Sequence, residues 1–306
     1  MTTSTAEEQA AVEAFLSRAR EATDRALERA LAELLPAVPD TLAAAVRYAV
    51  LGSGKRFRPA LVLAAYETVG GKSAAIADLA AAIEIVHAYS LVHDDLPCMD
   101  NDDLRRGRPT LHRAFDVRRA TEAGFAMVPV AAAAVVRGSR LLALPVAAAR
   151  EVELLLFRAA GAGGMIGGQV LDLVAPGQEP SREAMTDIDV RKTGALIAAS
   201  VEIGAVAAGA PAGERAAYRD FGWDVGLAFQ IADDVLDVTA TSEQLGKTPG
   251  KDAKLGKPTF PMLLGVAGAE REAERLAERA VAHLAAARVS SPLLAALARF
   301  VVARRS

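Results

Sequence analysis

The stretch AAIEIVHAYSLVHDD, residues 81–95, decides how the chain is read. It has no polar face, so as a helix it must be buried nearly all round. Yet it ends on two adjacent acids. Asp94 and Asp95 open a run of five aspartates that closes at Asp103, and Arg105, Arg106 and Arg108 follow at once. Pro97 and the acids end or distort the helix. Helix C-termini disfavour negative charge, so acids placed there require a compensating cation.

Outward from this helix, Ala, Leu, Glu and Arg dominate, aromatic residues make up only 5%, and alternating apolar–polar runs are scarce. That composition favours helix. Segments near 6–33, 40–51, 58–69, 73–96, 119–140, 146–174, 187–209, 214–240, 258–267, 269–287 and 291–304 read as helical. Short breaks rich in Gly and Pro, such as LGSGKRFRP and VAPGQEPS, separate them. No long linker or repeat divides the chain. The expected fold is all-α: one domain over 1–306, a bundle of about ten or more helices around a central cavity.

The chain is 52% hydrophobic and 24% charged with a net charge of −3. A general affinity for nucleic acid is therefore not expected. Its single cysteine, Cys98, excludes an internal disulfide and argues against a cysteine-built zinc site. The N-terminal MTTSTAEEQ is polar and acidic and does not read as a signal peptide. The apolar stretch 123–136 is too short to span a bilayer and contains Pro129, and the run 193–213 carries Glu202. Both read as core helices, so a cytoplasmic protein without stable membrane insertion is expected.

Hard oxygen ligands around an open site suit Mg²⁺, which usually keeps waters or substrate phosphates in its shell. Arginine forks bind phosphate oxygens bidentately. A solvated charged loop would also explain the first acidic run, but a second acidic helix weakens that explanation. In FQIADDVLDV, residues 229–238, Gln230, Asp233, Asp234 and Asp237 interrupt an apolar helical pattern. Gln230, Asp233 and Asp237 share one face at helical spacing. Carboxylates on an otherwise buried helix are expensive without a counter-ion. Two such helices point to a metal held between them. His87 lies two turns before Asp94 on nearly the same face, although a lone histidine there is more often a core residue.

The chain has 28 arginines but only 7 lysines, so the lysines are informative. Lys55 lies in GSGKRFRP, Lys192 in RKTGAL, and Lys247, Lys251, Lys254 and Lys257 in LGKTPGKDAKLGKPTFP. Glycines beside them let the backbone approach an anion. GSGKR lacks the spacing of a nucleotide-binding P-loop. The 247–257 segment fits a flexible basic loop, and equally a lid that closes over phosphates.

Together these segments resemble the trans-isoprenyl diphosphate synthase family, most nearly its bacterial farnesyl diphosphate synthases. GSGKRFRP, HAYSLVHDDLPCMDNDDLRRGRPT, GGQVLDL, KTGALI, FQIADDVLDV and LGKPTFPMLLG occur in the family's order and cover nearly the whole chain. The resemblance implies a Mg²⁺-dependent prenyltransferase that joins isopentenyl diphosphate to an allylic diphosphate, with three ions once substrate is bound. It implies metal ligation by Asp94, Asp100, Asp233 and Asp237, with Asp95 and Asp234 beside them. Catalytic roles fall to Asp94, Asp95, Asp100, Asp233 and Lys192. Lys55, Arg58, His87 and Arg106 match the isopentenyl diphosphate site. Arg105, Lys192, Thr193, Gln230, Lys247 and Lys257 match the allylic site, and Gln169 and Asp172 a supporting polar pair. A homodimer is the family expectation.

The resemblance also implies that Tyr89, five residues before the first motif, floors the cavity that receives the growing tail. Periodicity instead aims Ser90 at the face of Asp94 and offsets Tyr89 by about 140°. Farnesyl diphosphate is the expected product, with geranylgeranyl diphosphate as the competing one. A terpene cyclase would not need the cations at Lys55 and Arg58, and a non-catalytic subunit would more naturally have lost an aspartate motif. One segment departs from the family: where AGDALL is usual, the chain reads AGFAMV, residues 123–128.

Overall fold

Helices whose faces are apolar all round have to be wrapped by others, and two such helices form the centre of the molecule. The structure, a computed structural model, describes residues 2–177, 181–239 and 257–303. Along the chain, α1 (Thr2–Leu34), α2 (Asp40–Val50), α3 (Phe57–Val69) and α4 (Ile76–Asp94) are followed by a small hairpin, β1 (Leu104–Arg105) and β2 (Arg108–Pro109). Next come α5 (Leu111–Ala114), α6 (Val117–Leu141), α7 (Val146–Ala160), α8 (Met165–Val174) and α9 (Arg182–Asp189). A π-turn (Val190–Gly194) joins α9 to α10 (Ala195–Ala207). Then α11 (Ala212–Thr239), α12 (Phe260–Leu264), α13 (Val266–Ala286) and α14 (Pro292–Ala303) complete the described chain.

The central helices are α4 and α10. Every residue of α10 from Ala195 to Val206 is buried, and α4 is buried on nearly all sides. Helix α4 packs chiefly on α6, α3 and α1, whereas α10 packs on α11, α3 and α7. Leu79, Ile83, Ile85, Leu196 and Ile197 have almost no accessible surface. Burying each such side chain is worth about 1.5–3 kcal/mol. A second core joins α11, α12 and α13 through Leu227, Ile231, Phe260 and Leu276. The outer helix α14 reaches back to α1.

The bundle matches the all-α expectation, with three local differences. The expected helix over 146–174 is broken by a turn at Gly161–Gly164, closed by the Gly164 amide on the Gly161 carbonyl at 3.0 Å. The helix expected over 187–209 begins earlier, at Arg182, and carries the π-turn. Beyond Asp103 the chain forms the hairpin, whose two turn residues, Arg106 and Gly107, both have positive φ (54° and 73°), as a tight two-residue hairpin turn demands. Pro129 does not end α6 but lies inside it. Among the described residues, α6 is one of three segments long and apolar enough to cross a membrane, beside Ile76–Asp94 and Val146–Val174. The best window of Ile76–Asp94 is 78% buried inside the bundle.

Candidate active site

The C-terminal end of α4 has carbonyls that need donors. The following loop supplies them by folding back: the Asp100 amide donates to the Asp94 carbonyl at 2.8 Å and the Asp102 amide to the Asp95 carbonyl at 3.2 Å. Asn101 takes a left-handed conformation, φ 49°, to allow this. The fold-back brings Asp100 beside Asp94 although six positions separate them. Both line a cavity of about 1340 Å³ that runs between α3, α4, α8, the π-turn and α11. The other three aspartates of the run face away. Asp102 and Asp95 are buried against Arg105, and Asp103 pairs with Arg113 at 2.5 Å.

Asp95, to which the sequence reading gave a catalytic place, is set apart from Asp94. It accepts from Arg105 Nε at 3.0 Å and from Arg105 Nη2 at 2.5 Å, and it does not line the cavity. One helical position rotates it by about 100° from Asp94. Its contact is with Arg105, which does line the cavity. On α11, Asp233 and Asp234 line the cavity, but Asp237 is buried one turn further on and is not among the described lining residues. Gln230 is held from both sides: Thr193 Oγ1 donates to its Oε1 at 2.8 Å, and its Nε2 donates to Asp234 at 2.9 Å.

Two candidate anion seats of different character share the cavity. The first presents cations; Glu84 beside them is buried and bonded to Arg56. Arg58 Nη1 and Arg106 Nη2 each lie 3.3 Å from His87 Nε2. Both guanidiniums can only donate, so that nitrogen accepts and the imidazole is neutral. Burial, reinforced by Arg58 and Arg106, holds His87 well below its ordinary range. His87 thus aims two arginines while adding no charge of its own. Lys55 stands exposed beside them. Underneath, Arg56 is buried, bonding Asp24 at 2.8 Å, Glu84 at 2.7 Å and the Gly52 carbonyl at 2.7 Å. It locks the left-handed start of α3 (φ 50°) from which Lys55 and Arg58 project.

The second seat mixes acids and lysines. Lys192 Nζ donates to Asp172 at 2.7 Å, and Lys257 Nζ bridges Asp172 at 2.9 Å and Asp100 at 3.1 Å. Burial alone would raise the Asp172 carboxyl, but the two lysines outweigh it and hold it below its usual value. Asp94 is different: burial, with help from Asp100 and against Lys192, pushes it up to about 6. Lys192 can sit this close because α8 has Gly168 where the π-turn crosses it. A Cβ there would fall 2.2 Å from the Lys192 amide nitrogen.

The donor set fits a divalent cation. The carboxylates already share the ammonium of Lys257, and Gln169, buried and lining the cavity, has no hydrogen-bond partner for either amide atom. No three acids or imidazoles converge into a ready-made cage among the described residues. That suits Mg²⁺, which completes its shell with water and substrate phosphate.

Both residues flagged for tail length, Tyr89 and Ser90, line the cavity. Tyr89 is buried and its hydroxyl donates to the Ala160 carbonyl at 3.5 Å. Lys247, and the lid expected around it up to Gly256, lie outside the described residues. Sequence reasoning missed Phe57 and Phe229, which stack at 5.5 Å with planes 27° apart and line the cavity. Their signal was positional: each directly precedes a polar site residue, Arg58 or Gln230.

Comparison with known proteins agrees with this architecture. The Polyprenyl synthetase family model matches residues 39–290. Geranylgeranyl pyrophosphate synthase 4 of Arabidopsis thaliana is 42% identical over 262 residues, covering 84% of this chain and 69% of that protein. The crystal structure of an FPP/GFPP synthase from Zymomonas mobilis superposes with a TM-score of 0.83 at 35% identity, covering 96% of this chain and 99% of the other. A geranyltransferase from Helicobacter pylori, solved in complex with magnesium and isoprenyl diphosphate, gives a TM-score of 0.78 at 34% identity, with 94% and 96% covered. With its helical bundle, its paired anion seats and a match over most of its length, the chain belongs to the polyprenyl synthetase family.

Proposed function

We propose that the protein condenses isopentenyl diphosphate with an allylic diphosphate, dimethylallyl or geranyl, and that its main product is farnesyl diphosphate. The observation that carries the reaction is one apolar cavity with two unlike anion seats, one that presents cations and one of cations with carboxylates. Mg²⁺, when bound, supplies Lewis acidity that neutralises charge on the leaving diphosphate. Asp94, Asp100 and Asp233 would hold it, joined by Asp237 from one turn along α11. Lys192, Lys257 and Arg105 grip the allylic diphosphate, and Lys247 joins them in this reading. Lys55, Arg58 and Arg106 hold isopentenyl diphosphate by charge alone, with His87 orienting both arginines.

In this arrangement the allylic C–O bond breaks and its electron pair leaves with the diphosphate. The double bond of isopentenyl diphosphate attacks the allylic carbon. A proton then departs from the adjacent carbon to the released diphosphate, giving a chain five carbons longer. Phe57, Phe229 and the apolar walls keep out the water that would trap the cation.

Tyr89 supports a fifteen-carbon product. It stands five residues, roughly 7.5 Å along the helix, from Asp94, and its bulk lines the apolar end of the cavity. A twenty-carbon product is the second reading, favoured by the name of the Arabidopsis relative. Incubation with Mg²⁺, isopentenyl diphosphate and each allylic diphosphate, followed by chromatography of the dephosphorylated products, tests both readings. Absence of any prenyl product refutes the reaction, and a mainly twenty-carbon product refutes the farnesyl assignment. Tyr89→Ala should lengthen the product. The reading extends to a cytoplasmic homodimer of one-domain chains, without stable membrane insertion and with three Mg²⁺ ions when substrate is bound. Light scattering of the purified protein checks the dimer.

A further inference from the structure

Three aromatic rings from two helices bound the apolar end of the cavity. On α4, Tyr89 and His93 lie one turn apart, edge to face, with ring centroids 6.1 Å apart. On α6, Phe125 meets the His93 ring at 5.4 Å, also edge to face. All three line the cavity. His93 can occupy this place because Gly124 faces it: a Cβ there would fall 1.9 Å from His93 Nε2. The same nitrogen lies 3.4 Å from the Thr121 carbonyl.

Phe125 also reaches the outside. It is 66% exposed, and Val128, Ile166 and Val170, which line the cavity as well, are 40%, 48% and 56% exposed. These four residues border both the cavity and the surface, so the cavity leaves the bundle between α6 and α8. Tyr89, by contrast, is only 6% exposed and is tethered to Ala160. Helix α6 is weakened close to the opening, because Pro129 has no N–H to offer the Phe125 carbonyl one turn back. The ring also stands in the segment AGFAMV, where the sequence departs from the family pattern.

We infer that Phe125, braced edge-on by His93, is a second length-setting residue: a prenyl tail that grows past Tyr89 must leave between α6 and α8, and Phe125 stands across that exit. The inference rests on the prenyl-transfer reading above. Phe125 touches the tail, whereas His93 is a positioning residue that acts through it. The ligands concerned are allylic diphosphates one prenyl unit longer than the main product.

The test uses the full-length protein with Mg²⁺, isopentenyl diphosphate and geranyl diphosphate, and reads the ratio of the next longer product to the main one. Phe125→Ala should raise that ratio about tenfold, the scale on which apolar pocket changes discriminate. Phe125→Trp should lower it, and because the site is exposed both variants should fold, as circular dichroism will verify. His93→Ala should raise the ratio and His93→Phe, which keeps the edge-on ring, should restore it. A purely structural role for His93 would change total turnover and leave the ratio alone. If the ratio is unmoved by both Phe125 variants, or moves the same way in both, the exit gate is wrong. A wild type that forms no prenyl product would instead refute the reaction itself.

Discussion

Replacing Asp94 by asparagine should make the metal-free protein more stable while removing its activity. The carboxyl of Asp94 is pushed from an ordinary 3.8 to about 6, chiefly by burial. The folded state therefore prefers the neutral form. The contribution of Asp94 to stability is fully present below pH 4 and is lost as the pH rises through about 6. At pH 8 the ionised side chain destabilises the fold by about 3 kcal/mol. The asparagine amide is neutral at every pH and escapes that penalty. At roughly 2 cal/mol/K per residue of unfolding entropy, the gain corresponds to about 5 °C in Tm. Thermal melts of wild type and Asp94→Asn in EDTA, from pH 4 to pH 8, should coincide at the acid end and separate toward pH 8, with the variant higher. Turnover of the variant with Mg²⁺ should fall more than about a hundredfold, or ~2.7 kcal/mol in barrier. A variant that melts at or below wild type at pH 8, or by a margin that does not shrink toward pH 4, would show that Asp94 is not held at a cost for the sake of the cation.

On α11, Asp233→Ala should lower kcat more than about a hundredfold, and EDTA should abolish activity; near-normal turnover in either case removes Asp233 and the metal from the reaction. Arg58→Ala should mainly raise the KM for isopentenyl diphosphate and Lys192→Ala that for the allylic partner; steady-state kinetics showing the reverse pattern would exchange the two seats. Arg56→Met leaves Glu84 buried without its guanidinium, and denaturant unfolding should report a loss of about 3–5 kcal/mol; an unchanged midpoint would mean that Glu84 is not dependent on that pair.

What the sequence could reveal depended on whether the signal was local. The all-round apolarity of 81–93 and 195–206 marked α4 and α10 as central because burial is written into each residue. The paired aspartates were legible because acids in an apolar run need a cation wherever the run is placed. The fate of each acid was not legible. Asp94 and Asp95 are neighbours of identical chemistry, and only the fold-back of the loop and the position of Arg105 separate the one at the cavity from the one in an ion pair. The hairpin at 104–109 was missed because its two-residue strands are too short for any alternation to show. The break at Gly161–Gly164 was signalled by GAGG, but the helical pattern on either side masked it. Tyr89 lines the cavity although periodicity turned it away, because the cavity is wide enough to meet more than one face of α4.

The wide turn at Val190–Gly194, where the Ala195 amide reaches back to the Val190 carbonyl, amounts to one surplus residue in an otherwise continuous rod from Arg182 to Ala207. Deleting one residue there would let the rod run as uniform α-helix and swing α9, with Lys192 and Thr193, about 100° relative to α10. The buried half of the rod could keep its place while the half that carries the ammonium and hydroxyl turned away from the cavity. Inserting or removing a single codon is usually harmless in a surface loop. In this turn, three nucleotides separate a bundle whose cavity keeps that ammonium and hydroxyl from one that merely folds.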